Sequence, residues 1–204
     1  CVIRAAAGSS RITWTRKMNI SRRLNRLAEL VTEGSRLADV GTDHGYVPLC
    51  LCREKKIPSA IAMDINKGPL ERAKSHIAEA GLTAYIETRL SDGLHELQGG
   101  EADTVLIAGM GGALMVRILS EGEPALIGVR ELVLQPQSEI GDVRRWLGSH
   151  GWHIIKEDIL LDEGKYYPMF KAVPGEAEDY TEAEYRFGKL EMQESPEVLA
   201  DFLR

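Results

Sequence analysis

Apolar segments of strand length alternate with amphipathic helical segments through most of the chain. Strands are predicted over 36–40, 59–64, 84–90, 102–108 and 131–134. Helices are predicted between and around them, over 20–32, 46–55, 69–80, 112–120 and 140–150. Because the strands are almost continuously apolar, they are typical of a parallel sheet with helices on both faces. This alternation predicts an α/β fold of the Rossmann-like kind.

The last two predicted strands, 152–160 and 166–173, have only a short polar turn between them. This spacing predicts a hairpin, and therefore one antiparallel strand at the edge of a mostly parallel sheet. Beyond Gly175 the chain becomes acidic and helical, and its final apolar helix ends abruptly. We therefore expect a core domain over 18–174 and a small helical, coiled-coil-like and truncated appendage over 175–204.

Composition limits the classes of function. The 204 residues carry 25 Lys and Arg against 31 Asp and Glu, a net charge of -6, which argues against a broadly basic RNA-coating protein. The longest apolar run, 105–116, is too short to cross a bilayer. Residues 1–17 are basic and precede Met18, so they read as an upstream extension or tag, or alternatively as a targeting segment.

Cysteine and histidine usage predicts neither a disulfide framework nor a metal site. Cys50 and Cys52 are two residues apart in an apolar stretch, a spacing that fits reduced, buried thiols in a cytoplasmic protein. The five histidines and three cysteines form no ligand pattern. The sequence leaves the oligomeric state open.

The chemistry-bearing residues follow the predicted strands. Asp39 lies in the first strand and is followed by glycines at Gly41 and Gly45, and Asp64 ends the second strand. Ligands of open α/β sheets bind at the carboxyl ends of the strands, where a carboxylate can accept hydrogen bonds from ribose hydroxyls. The structural alternatives are a plain glycine turn and a helix cap at Asp64.

Three further turns extend this pattern. Asp92 and Gly93 follow the third strand, where a carboxylate could bond the adenine amine, although an Asp-Gly turn is the simpler alternative. The fourth strand ends in IAGMGG (107–112) and the fifth in LQPQ (134–137), whose amides suit a base edge. Together these strand ends favour a nucleoside-binding site.

DVGTDHGYVP (39–48), AMDIN (62–66), SDGL (91–94), IAGMGG (107–112) and LQPQ (134–137) together resemble the bacterial tRNA (adenine-22-N1)-methyltransferase family. The similarity covers about residues 18–204; it departs from the family at Gln137, where Asn is usual, and in a short C-terminal helical region. The resemblance implies a class I fold that uses S-adenosyl-L-methionine to methylate N1 of an adenine in the tRNA D-arm region.

The resemblance and the strand-end pattern assign three groups of candidate residues. The expected cofactor-binding residues are Asp39, Gly41, Thr42, Gly45, Asp64, Ile65, Asn66, Asp92, Gly93, Gly109 and Met110. The expected substrate-binding residues are Arg22, Arg23, Arg26, Gly111, Gly112, Gln135, Pro136 and Gln137. The expected catalytic residues are Asp43 and His44.

The expected roles follow from the chemistry. Adenine N1 has a free lone pair, so the site must position and desolvate the reactants, and Asp43 could stabilise the positive charge of the methylated base. His44 would orient Asp43, unless it is an ordinary hydrogen-bonded core histidine. The arginines of the first helix are expected to contact tRNA phosphates, with a solvated helix face as the alternative.

Other functions remain open at this point. A small-molecule methyltransferase would use the same cofactor, and the acidic net charge mildly favours it. A non-catalytic S-adenosylmethionine- or RNA-binding module would bind without turnover. A nicotinamide-dependent oxidoreductase is disfavoured, because the chain lacks the G-x-G-x-x-G spacing of dinucleotide sites.

Overall fold

The computed structural model describes residues 20–176, 179–190, 197, 200 and 201. The expected extension 1–17 and most of the final apolar helix lie outside the described residues. Within them are six α-helices and seven strands. The helices are α1 (Arg22–Leu30), α2 (Tyr46–Arg53), α3 (Lys67–Glu79), α4 (Gly112–Glu121), α5 (Ile140–Ser149) and α6 (Glu182–Phe187). The strands are β1 (Leu37–Val40), β2 (Ala60–Asp64), β3 (Ile86–Leu90), β4 (Thr104–Met110), β5 (Glu131–Pro136), β6 (Trp152–Asp162) and β7 (Lys165–Pro174).

The strands form one sheet in the order β3-β2-β1-β4-β5-β7-β6. The first five strands pair in parallel, whereas β7 pairs antiparallel with both β5 and β6. The predicted mostly parallel sheet is therefore confirmed, and the predicted hairpin forms its antiparallel edge with β7 inside and β6 outside. Each predicted helix of the core is present, with ends that differ by a few residues.

Helices cover both faces of the sheet, as the apolar strands require. Leu27 of α1, Leu51 of α2 and Ile77 of α3 are buried in one apolar cluster with Leu106 of β4. The opposite cluster joins α4 and α5 to the other face of the same strands. Burial on both faces explains why β1, β4 and β5 read as nearly continuous apolar runs rather than alternating ones.

The C-terminal region is joined to the core by hydrogen bonds to a buried ion pair between α5 and β6. Arg144 of α5 donates to Glu157 of β6 at 2.8 Å, and the two side chains are 4% and 2% exposed. Arg144 also donates to the carbonyl oxygen of Tyr185, and Glu157 accepts the Leu190 N–H, both at 2.9 Å. The described part of 175–204 is thus held against α5 and β6; its status as a separate domain stays a prediction.

Candidate active site

The site lies where the strand order reverses, between β1 and β4. The chain leaves β1 towards β2 on one side and leaves β4 towards β5 on the other, which opens a crevice at their carboxyl ends. Gly41 follows β1 with φ +71°, and a Cβ there would collide with Met110 Cε at the end of β4. The two glycine turns predicted from the sequence therefore meet across this crevice.

Asp39 is a buried carboxyl group at the floor of the crevice. Its side chain accepts a hydrogen bond from the Thr42 hydroxyl at 2.6 Å, and the residue is 6% exposed. Burial raises the pKa of Asp39 from 3.8 to about 6; the Thr42 hydrogen bond opposes this, the Asp64 charge adds to it, and the Arg23 charge opposes it. A cation bound beside Asp39 would favour its ionised form.

Asp64 lies at the end of β2 and is 7% exposed. Its two carboxylate oxygens accept the N–H groups of Asn66 at 2.8 Å and Asp43 at 3.2 Å. Each oxygen keeps capacity for a second donor, so the pair can receive two neighbouring hydroxyls. The N-cap of α3 is Asn66 rather than Asp64, which disfavours the simple capping alternative. Next to this polar group, Ile65 is 56% exposed and offers an apolar face for a base.

The turn after β3 closes against α4. Asp92 lies 3.3 Å from Arg117 Nη2 and remains about half exposed. Gly93 has φ +58°, and a Cβ there would lie 3.0 Å from Ile118 side-chain atoms. The conformation and packing of this turn thus account for Gly93 by themselves, while the Asp92 carboxylate is still within reach of solvent.

The Gln135 side chain is hydrogen-bonded to the backbone of the turn at the end of β4. Its side-chain oxygen accepts from the Gly109 N–H and from Arg23 Nη1, both at 3.1 Å, and its nitrogen donates to the Pro136 carbonyl oxygen at 3.2 Å. The residue is fully buried. Its amide is therefore already hydrogen-bonded inside the protein, in contrast to the open base edge that the sequence suggested.

The remaining residues of these two turns divide between packing and exposure. A Cβ on Gly112 would lie 2.5 Å from the Ser138 carbonyl oxygen, so this glycine is needed for close approach of α4. A Cβ on Gly111 would lie 3.0 Å from the Ser138 hydroxyl oxygen. Gln137 is exposed, and its side-chain nitrogen lies 3.8 Å from the Cβ position of Gly109. Of the two predicted glutamines, Gln137 is therefore the exposed one, next to the β4 turn.

Asp43 and His44, the predicted catalytic pair, lie together at the mouth of the crevice. Asp43 has φ +52°, and its carboxylate is 3.5 Å from His44 Nε2 and 3.7 Å from Arg72 Nη2. His44 Nδ1 is buried and has no hydrogen-bond partner among the described residues. This unpartnered nitrogen disfavours the alternative of an ordinary hydrogen-bonded core histidine.

The three arginines of α1 do not form one cationic surface. Arg26 pairs with Asp158 of β6, and Arg22 lies 3.8 Å from Asp162 at the end of the same strand. Arg23 alone points into the crevice, where it reaches Gln135. The expected phosphate-binding cluster is therefore divided between salt bridges and the site itself.

Residues that sequence reasoning missed surround Asp43 and His44. Tyr46 and His76 stack on His44, and Arg72 faces Asp43. Tyr46 stands in the quoted motif and could have been found there. Arg72 and His76 belong to α3, where nothing in the local sequence separates them from an ordinary solvated helix face.

The comparisons agree with this geometry. A profile of the methyltransferase domain matches residues 20–170. The tRNA (adenine(22)-N(1))-methyltransferase of Bacillus subtilis is 39% identical over 160 residues, which cover 78% of this chain and 67% of the relative. The chain belongs to the tRNA (adenine(22)-N(1))-methyltransferase family.

Solved structures of tRNA (adenine-22-N1)-methyltransferases include complexes with ligands. A candidate tRNA (m1A22) methyltransferase of Streptococcus pneumoniae in complex with S-adenosyl-L-methionine is 36% identical with a TM-score of 0.88, covering 91% of this chain and 86% of that one. The enzyme of M. capricolum in complex with S-adenosyl-homocysteine is 28% identical with a TM-score of 0.81, covering 90% and 82%.

No described helix of this family member is long and apolar enough to cross a membrane. No group of three or more histidine, cysteine or acidic side chains in the same part of the chain could hold a metal ion.

Proposed function

We propose that this protein transfers a methyl group from S-adenosyl-L-methionine to N1 of adenine 22 in tRNA. The observation that carries the proposal is the buried Asp64 carboxylate followed by the exposed Ile65 at the carboxyl end of β2, the strand beside β1, in a chain of this family. These two neighbours suit a ribose and an adenine face. Because the proposed substrate is tRNA, we propose a cytoplasmic location for this enzyme.

The residues of the crevice fit the cofactor. Asp64 would accept hydrogen bonds from the ribose hydroxyls, and Ile65 would pack against the adenine. Asp39 is the buried carboxyl group nearest the glycine turn, so it would face the cationic methionine end. When bound, S-adenosyl-L-methionine supplies an electrophilic methyl group. Gly41 and Gly109 both have positive φ and carry no side chain of their own that would keep a ligand from the backbone.

The chain's own residues would then hold the target base. Adenine N1 needs no deprotonation, so alignment and the exclusion of water account for most of the task. N1 lies on the Watson–Crick edge, and a paired adenine would have to be turned out to reach the crevice. The Asp43 carboxylate would stabilise the positive charge that develops on the base, with His44 beside it.

The direct test combines labelled S-adenosyl-L-methionine with an unmodified tRNA transcript. We expect label in 1-methyladenosine, mapped to position 22 by nuclease digestion and mass spectrometry. Label on free metabolites alone, or cofactor binding without turnover on any tRNA, would contradict the proposal.

Asp43→Ala tests the catalytic assignment. We expect its turnover to fall about a hundredfold while calorimetry shows an unchanged cofactor Kd, because the carboxylate acts on the charge of the transition state. Glu71→Ala removes an exposed acid from α3 and serves as the matched control. Unchanged turnover of Asp43→Ala with cofactor bound would remove Asp43 from the mechanism.

A further inference from the structure

Three aromatic side chains form a cluster beside the crevice, which we call the ring ledge: His44, Tyr46 and His76. Their ring centroids are 5.3 Å, 5.5 Å and 5.7 Å apart, and the ring planes are within 24° of one another. Because the three separations are nearly equal, the centroids form a triangle rather than a continuous stack. Three nearly parallel rings present a set of π-faces with one common orientation.

The ring ledge is tied to the crevice and partly open to solvent. Tyr46 is 37% exposed, and it lines the same pocket as Asp39 and Asp43. His76 is half-buried, and its Nδ1 donates to the His44 carbonyl oxygen at 3.1 Å. That bond fixes the His76 ring and connects α3 to the turn that carries Asp43.

Arg72 adds a cation to the same surface. It lies four residues before His76, so both side chains occupy one face of α3. Its guanidinium is 3.7 Å from Asp43, but the two side chains are 52% and 62% exposed. An exposed pair of this kind contributes little stability, so a phosphate can compete for Arg72.

The α1 surface is less suited to binding an RNA strand. Arg26 and Arg22 already face Asp158 and Asp162, and Arg23 is directed inward to Gln135. An RNA strand that reaches the crevice therefore finds stacking faces and an exchangeable cation together on the α3 side.

We propose that the ring ledge and Arg72 bind the tRNA nucleotide adjacent to the target adenine. The base would stack on the ledge, and its phosphate would contact Arg72. Aromatic faces combined with cations are the general means of holding single-stranded nucleic acid. The inference rests on the proposed function, because it places the flanking nucleotide next to the methylated one.

The geometry gives this contact a second consequence. Arg72 and His44 both lie within 4 Å of the Asp43 carboxylate. When a phosphate takes Arg72, the carboxylate loses one positive neighbour and is released towards the crevice. Binding of the correct strand would thereby prepare Asp43 to face the charge that develops on the target base.

The test compares four variants with the wild-type enzyme, using a labelled tRNA transcript and saturating S-adenosyl-homocysteine in an anisotropy assay. We expect His76→Ala to weaken tRNA affinity about tenfold and His76→Phe, which keeps a ring, to retain most of it. We expect Arg72→Gln to weaken binding and to reduce the slope of log K against log salt by about 0.7. Lys74→Gln removes an exposed cation on another face of α3 and should leave both unchanged.

Calorimetric S-adenosyl-homocysteine affinity checks that each variant is folded, and His76→Phe and Arg72→Gln keep the test decisive if His76→Ala is unstable. Wild-type tRNA affinity in Arg72→Gln, a loss in His76→Phe as large as in His76→Ala, or equal losses in Arg72→Gln and Lys74→Gln, would each overturn the ring-ledge proposal. Absence of methylation at position 22 by the wild type would instead overturn the proposed function, so the two failures are distinct.

Discussion

Asp39→Asn should stabilise the ligand-free protein while weakening the cofactor. Asp39 is buried, and its pKa is raised from 3.8 to about 6, chiefly because burial penalises the carboxylate. Between pH 3.8 and about pH 6, Asp39 therefore holds a proton in the folded state that it has released in the unfolded state. The free energy of unfolding therefore falls as pH rises through this window and levels off above it. Asparagine removes the ionisation and keeps an oxygen to accept from Thr42.

The magnitude follows from the two pKa values. We integrate the difference in bound protons between the folded and unfolded states over pH. Relative to a permanently neutral Asp39, the folded protein is destabilised by about 1 kcal/mol at pH 4.5 and by about 3 kcal/mol at pH 7.5. Because other acids titrate in the wild type and in the variant alike, the difference between the two proteins isolates Asp39. We expect the stability of Asp39→Asn relative to the wild type to be about 2 kcal/mol greater at pH 7.5 than at pH 4.5.

Urea unfolding followed by tryptophan fluorescence measures both proteins at each pH, without and with S-adenosyl-L-methionine. With S-adenosyl-L-methionine present, the stability difference between the two proteins should become smaller or change sign. The reason is that a cationic ligand binds more favourably beside a carboxylate than beside an amide. A variant less stable than the wild type at pH 7.5, or a difference that is the same at both pH values, would refute the electrostatic reasoning. Thr42→Val is a useful companion, because it removes the opposing hydrogen bond.

Three more outcomes are expected. Arg144→Leu removes the cation beside the buried Glu157 carboxylate and should lower the free energy of unfolding in urea by about 3–5 kcal/mol, with much of the loss recovered when Glu157→Leu is added. A single variant of wild-type stability would contradict this. Gly41→Ala should weaken cofactor binding in calorimetry more than Gly34→Ala, since both have positive φ but only Gly41 faces the crevice, whereas no described atom lies within 4 Å of a Cβ at Gly34; equal effects would speak against the site. Asp64→Asn should weaken cofactor affinity about tenfold or more, because an amide replaces one acceptor by a donor; an unchanged Kd would remove Asp64 from the ribose site.

Much of the fold could be predicted from the sequence, because the relevant signals are local. Apolar runs bounded by glycine and proline placed the strands, and the short polar turn after β6 indicated the hairpin. Strand ends also placed Asp39 and Asp64 at one edge of the sheet, since parallel strands share their carboxyl ends. The short 3₁₀ helix Glu123–Leu126 was not predicted, because four residues carry little periodicity.

The side-chain environments required the tertiary structure. The acidic side chains that form salt bridges with Arg22 and Arg26 belong to β6, more than 130 residues away along the chain. The burial of Gln135 depends on Arg23 and Gly109 closing over it. His76 gains a candidate role only because α3 packs beside the turn at His44. Such contacts join segments that are distant along the chain, so no local sequence pattern predicts them.

The acidic character of the site is consistent with its proposed chemistry even though the substrate is a polyanion. Methyl transfer to adenine N1 keeps one positive charge inside the crevice and moves it from the methyl donor to the base. Asp39 lies at the floor of the crevice and Asp43 at its mouth, so in the proposed reaction one carboxylate would face the methyl donor and the other the target base. Stabilising charge where it develops would add to the alignment and the exclusion of water that this reaction requires. The phosphates must then be held by a few exchangeable cations outside the crevice, and Arg72 beside the ring ledge is placed to be one of them.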